Sequence, residues 1–284
     1  MRRNKVFYFL INIVFFVLAL TFVNCGVLFD VHFEWWQLVA MLGLFLLMHF
    51  ARFVRMYFIL LEDLIKPSRF LQLYIKTTFV STLIPFKVGE LYKMYCYGYE
   101  TGSLAKGVIA VLIEKFFDAL ILCAVMLPYT LVNNNANPLF LILMVFIIVV
   151  VTIYFAFDGS YKYLNSFLIC RGGGKKSLVA LKMLEAMKKT YDGARRTLRG
   201  RAIILLATSA LAWGLEAVLF AVMSSAGKGF NISEVVMYIS DAFFGVYNVW
   251  FSYYVCLCAI VFIVAIVMIY GKKYFDIIVK KERK

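Results

Sequence analysis

Stretches of about 20 consecutive apolar residues recur along this chain and limit its fold more than any other feature of the sequence. A bilayer offers no water to backbone N–H and C=O groups, so an apolar segment of this length crosses it as an α-helix. Of the 284 residues, 64% are hydrophobic and 16% are charged, which leaves too little polar sequence for a soluble catalytic domain. We therefore predict an all-α integral membrane protein, with residues 1–284 forming a single polytopic membrane domain.

Six segments have the length and composition of membrane-spanning helices. They are Val6–Val23, Leu38–Leu61, Val108–Leu131, Leu139–Phe157, Ala202–Ser224 and Val249–Tyr270. Two other apolar segments, Thr77–Phe86 and Ile232–Tyr247, fit a full crossing poorly. The first is short and is interrupted by Pro85, and the second contains Asp241 and Gly245. We predict that both are re-entrant segments, which enter and leave the membrane on the same side.

The distribution of Lys and Arg predicts the orientation of these spans, because basic loops remain in the cytoplasm. Residues 158–201 carry 11 Lys and Arg against three acidic residues. Six spans place this loop and both termini in the cytoplasm. A net charge of +14 on a soluble protein would indicate nucleic acid as the partner. Because the basic residues here flank apolar runs, we instead predict that anionic phospholipid is a partner.

The basic cytoplasmic loop contains an amphipathic pattern. Apolar residues recur in it at spacings of three and four, which is typical of one face of a helix. They are Ala180, Met183, Leu184, Met187, Tyr191, Ala194 and Leu198. Two arrangements fit this pattern: a helix that lies on the inner leaflet, and an ordinary cytoplasmic helix that packs on its own protein.

Charged residues inside predicted spans are candidates for function, because each costs about 2.5–3.5 kcal/mol to insert. Glu114 and Asp118 are four residues apart and share one helix face. They either serve function, by orienting a cation or carrying a proton, or form a structural ion pair, for instance with Arg52 or Lys115. Glu216 stands alone at the centre of the fifth predicted span, which indicates function or a buried basic partner.

The second predicted span carries a stripe of basic side chains in its cytoplasmic half. His49, Arg52 and Arg55 follow one another at intervals of three residues. Arginine binds phosphate well through its planar fork, so Arg52 is a candidate phosphate ligand, with extension to the membrane surface as the alternative. For Arg55, which lies nearer the end of the span, we predict extension to the surface.

The break in the first re-entrant segment predicts an anion site. Pro85 and Gly89 are expected to break the helix, and the helix that follows directs its N-terminal amides towards the break. Lys87 adds a positive charge beside them. Glu90 is expected to interact with the helix dipole, with Lys87 or with Lys93. The alternative is a kinked interfacial loop with a surface ion pair.

Two of these motifs, Thr82–Glu90 and Glu114–Asp118, resemble the membrane region of the lysylphosphatidylglycerol synthase/flippase family. The family pattern is a polar residue, Leu or Ile, then Pro and Gly-Glu, followed in the next span by Glu-Arg-x-x-Asp. This chain departs from it in two places. Lys115 stands where arginine is usual, and the second re-entrant segment lacks the family's proline, since no proline follows Pro138.

The resemblance implies a lipid flippase of the bacterial plasma membrane, without the soluble synthase domain, and therefore no enzyme activity. Its substrate would be a phosphate-bearing lipid, either an aminoacylated phospholipid or a polyprenyl-phosphate carrier. No cofactor and no metal are expected, and a homo-oligomer is left open. The predicted substrate-binding residues are Arg52, Lys87, Glu90, Glu114, Asp118 and Glu216. The alternatives are a membrane transferase that uses a polyprenyl-linked sugar donor and a non-transporting partner in envelope assembly.

Overall fold

The computed structural model describes the backbone of residues 5–21, 33–84, 88–133, 137–171, 174–225, 232–244 and 249–282. Within these ranges the chain is helical, apart from short turns, and contains no strand, which confirms the predicted all-α fold. The helices are α1 Lys5–Thr21, α2 Trp35–Ile59, α3 Pro67–Leu83, α4 Val88–Thr101, α5 Leu104–Asn133, α6 Pro138–Arg171, α7 Lys175–Leu198, α8 Ala202–Ser225, α9 Ile232–Phe244 and α10 Val249–Glu282.

Four of the described helices are long and apolar enough to cross a membrane by themselves: α2, α6, α8 and α10. This agrees with an integral membrane protein. Helix α1 is apolar but has only 17 residues. Helix α5 has 30 residues and carries the charged motif Glu114–Asp118 in its middle. The assignment of α1 and α5 as further spans, and with it the six-span topology with both termini in the cytoplasm, stays a prediction.

Helices α3 and α4, called here the α3–α4 hairpin, lie on either side of the predicted break in the sequence. Helix α3 ends at Leu83, α4 begins at Val88, and the two helices pack against each other. Pro85 and Lys87 lie outside the described residues. The predicted interruption lies between these two helices, and Gly89 is a buried residue in the first turn of α4. A Cβ atom on Gly89 would lie 2.4 Å from the Cα atom of Ser81, so this glycine permits the close approach of the two helices.

We expect Gly89→Ala to lower the free energy of unfolding by about 1–3 kcal/mol, because the added methyl group overlaps backbone atoms that cannot move aside. Gly43→Ala in α2 is the matched control, since nothing lies within 4 Å of its Cβ position. That change should be neutral or stabilising, by up to about 1 kcal/mol of helix propensity. Chemical unfolding of both proteins in detergent micelles measures the difference, and equal stabilities would contradict this account of Gly89.

Helix α6 extends beyond the segment predicted to cross the membrane. Its 34 residues give a length of about 51 Å, against about 30 Å for the hydrocarbon core. Helix α7 packs along the extension: Lys188 forms an ion pair with Asp158 at 2.7 Å, and the Tyr191 hydroxyl donates to the carbonyl oxygen of Tyr154 at 2.9 Å. The hydrogen bond that Lys188 donates to the Asp158 carboxylate also raises the pKa of Lys188. The predicted amphipathic helix therefore packs on its own protein, and its contact with anionic lipid stays a prediction.

Exposed ion pairs connect the helix ends on the predicted cytoplasmic side. Arg201, just before α8, contacts Glu62, just after α2, at 3.3 Å. Lys106 at the start of α5 pairs with Asp63 in the same short turn. These pairs mark the end of the helix bundle that is predicted to face the cytoplasm.

Candidate functional site

A cavity of about 460 Å³ lies between α2, the α3–α4 hairpin, α5, α6, α8, α9 and α10. Both segments predicted to be re-entrant contribute to its wall, through residues 81–84 at the end of α3 and through Tyr238 and Ile239 of α9. The side chain of Asp241, and Gly245, lie outside the described residues. Four basic and four acidic side chains of the described residues line the cavity. They are Arg52, Arg55, Lys93, Lys115, Glu90, Glu114, Asp118 and Glu216.

Five of the six predicted substrate-binding residues are thus brought to one cavity, and the sixth, Lys87, is not described. Their assignment to substrate binding stays a prediction. His49, the first residue of the basic stripe, has a different environment. Its side chain is buried, and its Nδ1 atom lies 3.2 Å from the hydroxyl oxygen of Tyr74. The stripe predicted on α2 therefore divides into side chains with separate roles.

Arg55 is the centre of the most deeply buried charge cluster. Its Nη2 atom donates to Glu114 at 2.9 Å, and its Nη1 atom donates to Asp118 at 2.5 Å and to Ser209 at 2.8 Å. Arg55 is fully buried, so the prediction that it extends to the membrane surface is wrong. The physical reason is that two carboxylates of α5 face it, and a buried carboxylate without a cation would cost more than keeping the guanidinium inside.

Lys93 of α4 completes this cluster from the opposite side. Its Nζ atom lies 2.6 Å from the second carboxylate oxygen of Glu114, and both side chains are 5% exposed. The indole N–H of Trp213 donates to Asp118 at 2.8 Å. The direct cationic partners of Glu114 and Asp118 are therefore Arg55 and Lys93, and the predicted examples, Arg52 and Lys115, were wrong.

Lys115 instead connects the two sequence motifs. Its Nζ atom lies 2.7 Å from a carboxylate oxygen of Glu90 at the start of α4. Of the three interactions considered for Glu90, the one with Lys93 is not formed, because Lys93 pairs with Glu114. The Lys115 side chain is 38% exposed and that of Glu90 is 16% exposed, so this pair is more accessible than the Arg55 cluster. It joins the wall formed by the hairpin to the wall formed by α5.

Arg52 pairs with Glu216 across the cavity, which joins α2 to α8. Its Nη2 atom donates to Glu216, while its Nη1 atom is 3.4 Å from the hydroxyl oxygen of Tyr254. The guanidinium carbon lies 5.6 Å from the centre of the Trp213 ring, within the range of a cation–π interaction. The side chains of Arg52 and Glu216 are 18% and 10% exposed, so the pair is open to the cavity.

The arrangement is suited to binding a charged group and does not resemble a metal centre. Among the described residues, no group of three His, Cys, Asp or Glu side chains is placed to hold a metal ion. An Arg exposed to a partly apolar cavity, with an aromatic face and a hydroxyl beside it, can donate hydrogen bonds to a phosphate. The chemistry that the cavity offers is therefore ionic recognition.

A family model decides the relationship of the chain to known proteins. The model for the lysylphosphatidylglycerol synthase transmembrane region matches residues 9–238. The chain belongs to this family. The match includes all eight charged residues of the cavity and ends at Tyr238 in α9. No curated protein and no solved structure gives a significant match.

Membership of the lysylphosphatidylglycerol synthase transmembrane family indicates an integral membrane protein whose function is related to membrane lipid. Among the described residues of this family member's cavity that sequence reasoning did not assign to the site are Arg55, Lys93, Lys115 and Trp213. The signal for Lys93 was a basic residue in the helix that follows a predicted break at membrane depth. Trp213 gave no such signal, because tryptophan is common in membrane helices.

Proposed function

We propose that this protein is a flippase that moves a phosphate-bearing lipid across the bacterial plasma membrane. The observation that carries the proposal is the Arg52–Glu216 pair, which is open to a cavity that also borders both interrupted helical segments. The family supports a lipid as the substrate, and an aminoacylated phospholipid and a polyprenyl-phosphate carrier are the two candidates. In this proposal the headgroup enters the cavity, while the acyl or prenyl chains stay in the surrounding lipid.

The depth of Arg52 supports this role. It lies seven residues before Ile59, the last residue of α2, which corresponds to about 10 Å along the helix. That distance is about a third of a hydrocarbon core of about 30 Å. A phosphate bound by Arg52 would therefore be well inside the hydrocarbon core, where an uncompensated charge is costly. A fixed guanidinium at this depth lowers the barrier to crossing.

The test of the proposal is the transport rate of Arg52→Lys. Lysine keeps the charge but loses the planar fork, so at least one charge-assisted hydrogen bond to phosphate is lost. Such a bond contributes about 1.5–3 kcal/mol, and we therefore expect lipid movement to slow by about tenfold to a hundredfold. The measurement is the equilibration of labelled phosphatidylglycerol, of a labelled aminoacylated phosphatidylglycerol and of a labelled polyprenyl phosphate, each in turn, between the leaflets of vesicles that contain the purified protein.

Arg69→Lys is the matched control, because Arg69 also forms an ion pair, with Glu100, but is 61% exposed. Its rate should stay within about twofold of the original, as expected for a surface ion pair. Vesicles with the unmodified protein that move no more lipid than empty vesicles would refute the flippase proposal. A transferase and an assembly partner both predict that result, because neither needs to move lipid.

A further inference from the structure

The described charges of the cavity balance one another, and this balance restricts what can bind. Four cationic side chains face four anionic ones, and each carboxylate has at least one cationic partner. A phosphate diester adds one negative charge to this neutral set. In a site of low dielectric constant, an extra charge without a partner is strongly disfavoured. The bound state therefore needs one more positive charge than the empty state.

The pair that a phosphate can open is the one between Arg52 and Glu216. Arg52 donates to this carboxylate through Nη2 alone, and its 3.4 Å contact from Nη1 to the Tyr254 hydroxyl is long. In contrast, Arg55 uses both of its terminal nitrogen atoms on two carboxylates and is 1% exposed. Arg52 is thus the less committed guanidinium and the more accessible one.

Six charged or titratable groups surround Glu216 from the helices packed around it. They are Arg52 on α2, Lys115 and Asp118 on α5, Tyr238 on α9, and Tyr254 and Cys258 on α10. Asp118 is held by Arg55 and Trp213, and Lys115 is held by Glu90. When a phosphate occupies Arg52, Glu216 is consequently left without a cation of its own among the residues that the structure describes.

We propose that binding of an anionic, amine-free phospholipid at Arg52 is coupled to the uptake of one proton by Glu216. A phosphate oxygen takes the place of the Glu216 carboxylate on the guanidinium. The displaced carboxylate accepts one proton from water and becomes a neutral carboxylic acid. The lipid brings one negative charge and the proton brings one positive charge, so the cavity stays neutral. This inference rests on the proposed function and specifies how a charged headgroup can enter.

A lipid that carries its own ammonium group gives the contrasting case. Phosphatidylethanolamine has one phosphate and one ammonium, so its headgroup is neutral overall. Its ammonium can take the place of the proton beside Glu216, since a carboxylate accepts hydrogen bonds from an ammonium group. Binding of this lipid needs no proton. The two lipids therefore differ in the number of protons that the protein takes up when each one binds.

Calorimetry of the full chain in detergent micelles counts the protons. Short-chain phosphatidylglycerol and short-chain phosphatidylethanolamine are titrated in buffers with different enthalpies of ionisation. We expect uptake of one proton with phosphatidylglycerol and of none with phosphatidylethanolamine. The affinity for phosphatidylglycerol should also fall by about tenfold per pH unit in the range where the Glu216 carboxyl is ionised when paired with Arg52 and protonated when displaced, because one proton is taken up on binding only in that range. Phosphatidylglycerol binding without proton uptake, or equal uptake with both lipids, would overturn the inference.

Glu216→Gln tests the assignment to this residue. Glutamine keeps the shape and a hydrogen-bond acceptor but cannot ionise, so phosphatidylglycerol should bind this variant with no proton uptake and no pH dependence. Undiminished proton uptake would assign the proton to another group and overturn the proposal. If the variant does not fold, the calorimetry of the unmodified protein still tests whether binding of phosphatidylglycerol takes up a proton. If phosphatidylglycerol does not bind, the inference is wrong, and the transport assay in vesicles decides the proposed function separately. Binding of phosphatidylglycerol without a proton refutes the coupling alone.

Discussion

Replacing Arg55 with methionine is expected to lower the free energy of unfolding by about 3–5 kcal/mol, the cost of leaving a buried charge without its partner. The substitution removes the cation shared by Glu114 and Asp118. Lys93 still neutralises Glu114, but Asp118 keeps only the indole N–H of Trp213 as a direct donor. Denaturant unfolding in mixed micelles, followed by tryptophan fluorescence, measures the loss.

Two further variants test whether the loss of stability comes from the buried charge cluster. Arg69→Met removes an exposed ion pair with Glu100 and should cost no more than about 1 kcal/mol. Adding Asp118→Asn to Arg55→Met removes the carboxylate left without a cation, while Glu114 keeps Lys93, and should recover much of the lost stability. If Arg55→Met and Arg69→Met are equally stable, the buried cluster does not hold the helices together as we infer.

The environment of Glu114 and Asp118 bears on whether this pair serves transport or forms a structural ion pair, the two roles considered from the sequence. Both carboxylates are engaged by buried cations, and Glu114 is bound by two of them. A carboxylate held in this way is poorly placed to release its partners at each transport cycle. The geometry favours a structural role for this pair, and leaves Arg52 and Glu216 as the more accessible ion pair across the cavity.

The sequence predicted the helices well because a membrane permits few alternatives. An apolar run must satisfy its backbone hydrogen bonds internally, so its length and composition indicate a helix. The span predicted as Ala202–Ser224 corresponds to α8, Ala202–Ser225. The span predicted as Leu139–Phe157 ends where hydrophobicity falls, whereas α6 continues to Arg171. Hydropathy locates the membrane-embedded part of a helix and carries no information on where the helix itself ends.

The partners of the buried charges could not be predicted in the same way. The cost of insertion identifies which residues need a partner, but the partner depends on how each helix is rotated in the bundle. Arg52 and Arg55 are three residues apart in the sequence. Extension of the side chain to the membrane surface was the alternative for Arg52 and the prediction for Arg55. Only the packing of α2 against α5 and α8 directs Arg55 to Asp118 and Arg52 to Glu216. A sequence pattern of period 3.6 does not contain that information.

Exchanging the two charges across the cavity, Arg52→Glu with Glu216→Arg, should keep the protein folded and stop transport. Arg52→Glu alone places two carboxylates together and should cost about 3–5 kcal/mol of stability, because each is then buried without its cation. The double variant restores an ion pair between α2 and α8 and should recover most of that loss. Thermal unfolding of the single and double variants in the same detergent gives the coupling between the two sites.

Transport by the exchanged protein separates a structural pair from a phosphate site. If Arg52 and Glu216 only join two helices, the exchanged pair joins them equally well and lipid movement should recover together with stability. If Arg52 binds phosphate, the headgroup meets a carboxylate beside Tyr254 and Trp213, and a like charge there costs several kcal/mol. We expect the second result, with movement of labelled phosphatidylglycerol slowed by more than about a hundredfold. A stable exchanged protein that transports at the original rate would leave Arg52 a structural residue and move the search for the headgroup site to the Lys115–Glu90 wall of the same cavity.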